Sequence, residues 1–146
     1  MKLFGHPIHL MLIHFPSALL PADFVLTVLG YYYNEPLFNY AAFYCLAGGV
    51  ATGFLAIITG FIDLITISPA KKPAVSAALI HGCINGTLIL VYSVLAYKIW
   101  KVYPVIPAAT ITGILIKVML VLGLFAGNYF GGKLIYHYRI GINNNI

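Results

Sequence analysis

The chain has 146 residues, of which 62% are hydrophobic and only 8% carry a charge. Soluble domains average about half apolar and about a quarter charged residues, so this composition excludes an ordinary soluble protein and indicates an integral membrane protein in contact with the lipid bilayer. The formal net charge is +5. Basic residues lie at the ends of hydrophobic segments and form no stripe interleaved with exposed aromatic residues, so we expect no nucleic-acid partner.

Prolines and glycines divide the chain into four hydrophobic segments. Pro7 suits the first turn of a helix. Pro36 marks a turn, the stretch from Pro69 to Pro73 marks a loop, and Gly131-Gly132 is predicted to end the last helix. Each segment exceeds the ~20 residues that cross about 30 Å of hydrocarbon. The predicted helices cover about residues 7–33, 37–65, 74–97 and 105–130 of a single all-α, up-and-down four-helix bundle.

Charge asymmetry predicts the orientation of this bundle. The loops on the side that holds both termini carry Lys2, Lys71, Lys72, Lys133 and Arg139, whereas the opposite side carries Lys98 and Lys101. Because cytoplasmic loops are enriched in Lys and Arg, both termini are predicted to be cytoplasmic. The expected location is a bacterial inner membrane.

The histidines collect at this predicted cytoplasmic edge. They are His6, His9 and His14 at the start of the first helix, His81 in the first turns of the third, and His137 beyond the fourth. Ionisable groups at membrane depth are costly and are usually functional. Imidazole ligates both haem iron and transition metals, so the cluster suggests a cofactor site.

Two histidines are suited to hold haem b from both faces. His14 and His81 share a depth, and their helices lie diagonally in an up-and-down bundle. On a straight helix, however, Asp23 shares its face with His9 and not with His14. The helix face therefore favours His9 as the partner of His81, unless Pro16 and Pro21 distort the helix and turn His14 inward.

Other polar residues extend the candidate site. Asn85 lies one turn from His81 on the same face of the helix. It is predicted either to contact the cofactor or to form a hydrogen bond between helices. Asp63 is predicted to ligate a metal, to orient a histidine, or to anchor its helix end to a lysine. A transition-metal site would draw on His6, His9, His14, His81 and Asp63.

Asp23 and Lys117 have the same predicted depth near the middle of the membrane. We predict an ion pair, because pairing removes the cost of two isolated charges in hydrocarbon. A structural pair and a proton relay both remain open at this point.

Four segments carry a resemblance to a known family. They are His6-Pro7-Ile8-His9 with His14-Phe15-Pro16, then Gly60-Phe61-Ile62-Asp63-Leu64, then His81 with Asn85, and Gly131-Gly132-Lys133-Leu134-Ile135-Tyr136. In this combination the chain resembles the bacterial membrane proteins called domain of unknown function 2231. The resemblance implies a four-helix inner-membrane protein, and relatives fused to Rieske-type or cytochrome-like domains imply electron transfer. The family pattern places its C-terminal histidine at Tyr138, one position beyond His137.

Three functions follow as hypotheses. The first is a small b-type cytochrome that passes electrons between a quinone and a redox partner protein. The second is a protein that binds or transports a transition metal ion without haem. The third is a membrane anchor or assembly subunit that has no cofactor.

Overall fold

A computed structural model describes residues 2–3 and 6–140, with side chains from Ile8 onward. Lys2–Leu3 (β1) and His6–Pro7 (β2) form a short antiparallel ladder in which Leu3 is opposite His6. The rest of the described chain is helical apart from its loops. The helices are α1 (Ile8–Leu12), α2 (His14–Tyr33), α3 (Pro36–Ile65), α4 (Lys72–Trp100) and α5 (Ile111–Tyr136).

Four segments of the described chain are long and apolar enough to cross a membrane, and α1 and α2 together form the first of them. The segments are Ile8–Tyr33, Pro36–Ile65, Lys72–Trp100 and Ile111–Tyr136. Large apolar side chains cover their outer faces, including Leu37, Phe61, Leu90, Met119 and Phe125. Such extensive exposed apolar surface is stable against lipid, so these faces contact the bilayer.

The first span is interrupted at Ile13. Pro16 has no N–H to donate, and its ring clashes with the carbonyl four residues earlier, which belongs to Leu12. Hydrogen bonding is therefore disturbed between α1 and α2, although Ile13 keeps a helical backbone (φ −62°, ψ −20°). The amide of Ser17 donates to the carbonyl of Ile13 at 3.2 Å and resumes the helix.

The last helix differs from the prediction at both ends. It begins at Ile111 because Thr110 is its N-cap: the Thr110 hydroxyl accepts a hydrogen bond from the amide of Gly113 at 3.1 Å. Pro104 belongs to the preceding loop, where its carbonyl accepts from the Tyr40 hydroxyl at 2.7 Å. At the other end, α5 continues through Gly131-Gly132 to Tyr136, so the predicted end was wrong.

The four spans pack in a ring. Both α2 and α4 contact α3 and α5, which puts α2 and α4 at opposite corners. The central core consists of Leu20, Leu46, Ile89, Tyr92, Leu120 and Leu124. Glycines allow close approach, as expected where helices associate by packing in lipid. A Cβ on Gly49, for example, would lie 2.6 Å from Leu20 Cδ2.

Candidate functional site

A cleft of about 540 Å³ lies between α1, the end of α3, the start of α4 and the end of α5. Its volume falls within the ~300–1,000 Å³ typical of ligand sites. Most of its wall is aliphatic. The principal polar side chains of the wall are His9, His14, Ser17, Asp63, His81, Asn85 and Asn128. This combination of apolar walls and a few convergent polar groups makes the cleft the candidate site.

His9 is held against α3 by the main chain. Its Nδ1 lies 3.0 Å from the carbonyl oxygen of Ala56 and 3.4 Å from the Thr59 hydroxyl. Because a carbonyl only accepts, Nδ1 carries the proton and donates it, and the neutral ring keeps its free lone pair on Nε2. The ring packs on Gly60, where a Cβ would lie 2.8 Å from His9 Cε1.

His81 repeats this arrangement against α5. In the neutral tautomer with the proton on Nδ1, this nitrogen donates to the carbonyl oxygen of Gly127 at 2.8 Å, and Nε2 has the free lone pair. Asn85 Nδ2 donates to the His81 carbonyl at 3.0 Å and lies 3.1 Å from Nδ1. The ring packs on Gly131, where a Cβ would lie 2.7 Å from His81 Cε1.

The two rings meet across the bundle. The centroids of His9 and His81 are 6.4 Å apart, and the ring planes are inclined by 82°. Asp63 lines the same cleft and is close enough to interact electrostatically with His9. The structure thus brings His9, His81, Asn85 and Asp63 into one place.

The other predicted histidines do not join this group of four residues. His14 is the first residue of α2 and lines the cleft, but its side chain is exposed. His137 follows the end of α5, and its ring packs on Tyr138 with centroids 4.7 Å apart. The backbone of His6 belongs to β2, and its side chain lies outside the described residues. Within the described part of the chain, no group of three or more His, Cys, Asp or Glu side chains is arranged to hold a metal ion.

Sequence reasoning missed the glycines that receive the imidazole rings. Gly60 and Gly131 receive the rings of His9 and His81, and Gly127 packs on Asn85. The available signal was their helical spacing. Gly60 shares a face of α3 with Asp63, and Gly127 and Gly131 share a face of α5 with Lys117. A contact between the Asn128 amide and the Ser17 hydroxyl, at 3.2 Å, was also not predicted.

The structure also has an ion pair in the bundle interior. Lys117 Nζ lies 2.6 Å from Asp23 Oδ1 and 2.7 Å from Thr27 Oγ1. The Thr27 hydroxyl in turn donates to the carbonyl of Asp23 at 2.8 Å. All three residues are buried. Asp23 and Lys117 are the residues for which equal depth predicted an ion pair, whereas the part played by Thr27 was not foreseen.

Four long apolar spans with apolar outer faces and polar side chains turned inward define a helical integral membrane protein. A comparison with protein families matches residues 5–144 to the family described as "Predicted membrane protein (DUF2231)", and the chain belongs to this family. No curated protein and no solved structure matches the chain.

Proposed function

We propose that the cleft holds haem b between His9 and His81, and that the protein transfers electrons within the membrane. The observation that carries the proposal is the shared arrangement of the two rings. Each Nδ1 donates to a main-chain carbonyl, which leaves Nε2 for ligation. Ligating histidines in proteins are commonly oriented in this way through their second nitrogen.

The number of available ligands favours haem over a bare metal ion. A porphyrin would supply four nitrogens to the iron, so the protein would need to provide only two imidazoles. A metal ion held by protein alone usually requires three or four side chains. His9 and His81, whose ring centroids lie 6.4 Å apart, would be the two residues that hold the group.

Haem would supply reversible one-electron chemistry, and the chain supplies its environment. The carbonyls of Ala56 and Gly127 orient the imidazoles and increase the basicity of Nε2. Gly60 and Gly131 give the rings space against α3 and α5. The aliphatic walls limit water and suit an apolar electron carrier, so we propose a membrane quinone and a redox partner protein as electron donor and acceptor.

Absorption spectroscopy tests the ligand assignment. Protein purified in detergent after expression with a haem precursor is expected to show a Soret band and a sharpened reduced spectrum after dithionite. His81→Ala and His9→Ala are each expected to lose most bound haem, because each removes one of the two imidazoles that would hold it. His137→Ala is the matched control and keeps the spectrum, since His137 lies outside the cleft lining.

His14→Ala distinguishes the ligand pair His9 and His81 from the pair His14 and His81. The variant keeps the haem spectrum if His9 is the second ligand and loses it if His14 is. A wild-type protein without haem, or an unchanged spectrum in His81→Ala, would refute the proposal. Metal found by elemental analysis without porphyrin absorbance would support a transition-metal protein instead.

We also propose that the spans run up and down through a bacterial plasma membrane, with both termini in the cytoplasm. Gly30 in the last turns of α2 packs on Asn39 near the start of α3, while His9 in α1 contacts Ala56 nearer the other end of α3. These contacts support opposite directions for neighbouring spans. The positive-inside rule supports the orientation, because the loop with Lys71 would then face the cytoplasm.

Cysteine labelling tests this topology. In a background that carries Cys45→Ala and Cys83→Ala, single cysteines are introduced by Ser68→Cys in the α3–α4 loop and by Val102→Cys beyond α4. Both positions are exposed. A membrane-impermeant maleimide is expected to label Val102→Cys in intact cells and Ser68→Cys only after lysis. The reversed pattern would invert the orientation, and labelling of both in intact cells would contradict the up-and-down crossing.

A further inference from the structure

Two polar atoms in the interior of the bundle lack hydrogen-bond partners among the described residues. They are Asp23 Oδ2 and the Tyr92 hydroxyl. Both side chains are completely buried, with 0% of their surface exposed. Buried polar groups nearly always have a hydrogen-bond partner, so an unpartnered pair marks a place where a small polar species can bind. Asp23 also lies close enough to interact electrostatically with Tyr92.

This polar centre lies between two cavities that occupy opposite ends of the bundle. The histidine cleft extends inward as far as Ile89 and Leu124. A second cavity of about 240 Å³ is lined by Thr27, Lys98 and Lys117, together with the loop before α5. On α4 the two linings end at Ile89 and Leu95, about 9 Å apart along the helix, and Tyr92 lies between them.

Each of the four packed spans contributes to this centre. Asp23 and Thr27 come from α2, Tyr92 from α4 and Lys117 from α5. From α3, Cys45 is close enough to interact electrostatically with Asp23. Lys98 adds a second cation, and it lies on the wall of the second cavity. Lys117 is thus shared between the buried carboxylate and a cavity that leads away from the histidines.

We propose that Asp23 and Lys117 form a proton relay between the histidine cleft and the second cavity. In the first step, a hydronium ion that arrives from the histidine cleft on the side of Tyr92 gives a proton to Asp23 Oδ2. The hydronium ion thereby becomes water. Lys117 no longer faces an anion, and its Nζ releases a proton to water in the second cavity. The Asp23 carboxylic acid then passes its proton to the neutral amine of Lys117, which restores the ion pair.

One proton has then moved from one cavity to the other, and no electrons have been transferred. The direction follows the proton gradient or the membrane potential, because each step is reversible. The relay does not depend on haem, so its test is independent of the spectroscopic one.

Proton flux into liposomes tests the relay. Purified protein is reconstituted into vesicles that contain a pH-sensitive dye, and a potassium gradient with valinomycin sets the potential. Wild-type protein is expected to carry protons several-fold faster than protein-free vesicles. The double variant Asp23→Asn with Lys117→Met, which removes both charges together, is expected to fall to the protein-free rate. Lys133→Met is the matched control on the same helix, because Lys133 is exposed and lines neither cavity.

Tyr92→Phe serves as the second variant, because it removes only one hydroxyl, and it is expected to slow the flux several-fold. Size-exclusion profiles and circular dichroism identify which variants are folded. Wild-type flux no faster than that of protein-free vesicles would overturn the relay, whatever the variants do. Wild-type flux retained in the folded variants would overturn it equally and would leave Asp23 and Lys117 as a structural ion pair.

Discussion

Replacing Lys117 with methionine is expected to reduce the free energy of unfolding by about 3–5 kcal/mol, the range found when one partner of a buried ion pair is removed. Asp23 is completely buried and would be left without its counter-charge. Thr27 would lose a hydrogen bond as well. Unfolding by SDS in mixed micelles, followed by circular dichroism, measures the change.

Two further variants separate the loss of charge pairing from the loss of packing. Lys133→Met makes the same chemical change at an exposed position of α5 and is expected to alter stability by no more than about 0.5 kcal/mol. Adding Asp23→Asn to Lys117→Met is expected to recover much of the stability, since no unpaired charge then remains. Equal stability of Lys117→Met and Lys133→Met would show that the ion pair contributes nothing to the bundle.

Gly131→Ala is expected to destabilise the bundle by about 1–3 kcal/mol, the typical cost of overpacking, and to displace the His81 ring. The added methyl group would lie 2.7 Å from His81 Cε1 and 2.9 Å from Nδ1. The ring cannot withdraw without lengthening its hydrogen bond to the Gly127 carbonyl. If the cleft holds haem as proposed, haem content per chain is expected to fall together with the unfolding free energy.

The adjacent glycine provides a matched control. A Cβ on Gly132 would have its nearest neighbour, Tyr136 Cδ2, at 4.0 Å. Alanine is favoured over glycine in a helix interior by about 1 kcal/mol, so Gly132→Ala is expected to be neutral or stabilising and to leave the cleft unchanged. Similar losses of stability in Gly131→Ala and Gly132→Ala would mean that the imidazole contact does not distinguish the two positions.

Helix boundaries illustrate where reading along the chain succeeds and where it fails. The starts of α3 and α4 were predicted to within two residues from Pro36 and Pro73. Proline restricts the backbone around it whatever its surroundings, so it marks a boundary in the sequence itself. Thr110 was overlooked as a cap, since the preceding apolar residues extended the hydrophobic pattern into the loop. The pair Gly131-Gly132 was predicted to end the helix, but α5 continues through both, and Gly131 lies against the His81 ring of α4.

In the candidate site, the depth of a side chain could be predicted from the sequence, but its neighbours could not. Counting residues from the helix ends gave Asp23 and Lys117 a common depth, and the structure has their contact at 2.6 Å. The same count paired His14 with His81, whereas the helix face shared with Asp23 favoured His9, and the structure has the His9 and His81 rings 6.4 Å apart. The contact itself depends on which side of the first span faces the bundle.

Composition, hydrophobic length and the regular rise of a helix were therefore enough to predict four spans, and to assign each polar side chain a depth in them. The rotation of each helix about its axis, and the neighbour that each side chain meets, came from packing. Those contacts depend on where glycines of one helix meet bulky residues of another, as Gly60 meets His9 and Gly131 meets His81. Such pairings join residues far apart in sequence, so a pattern read along one segment does not contain them.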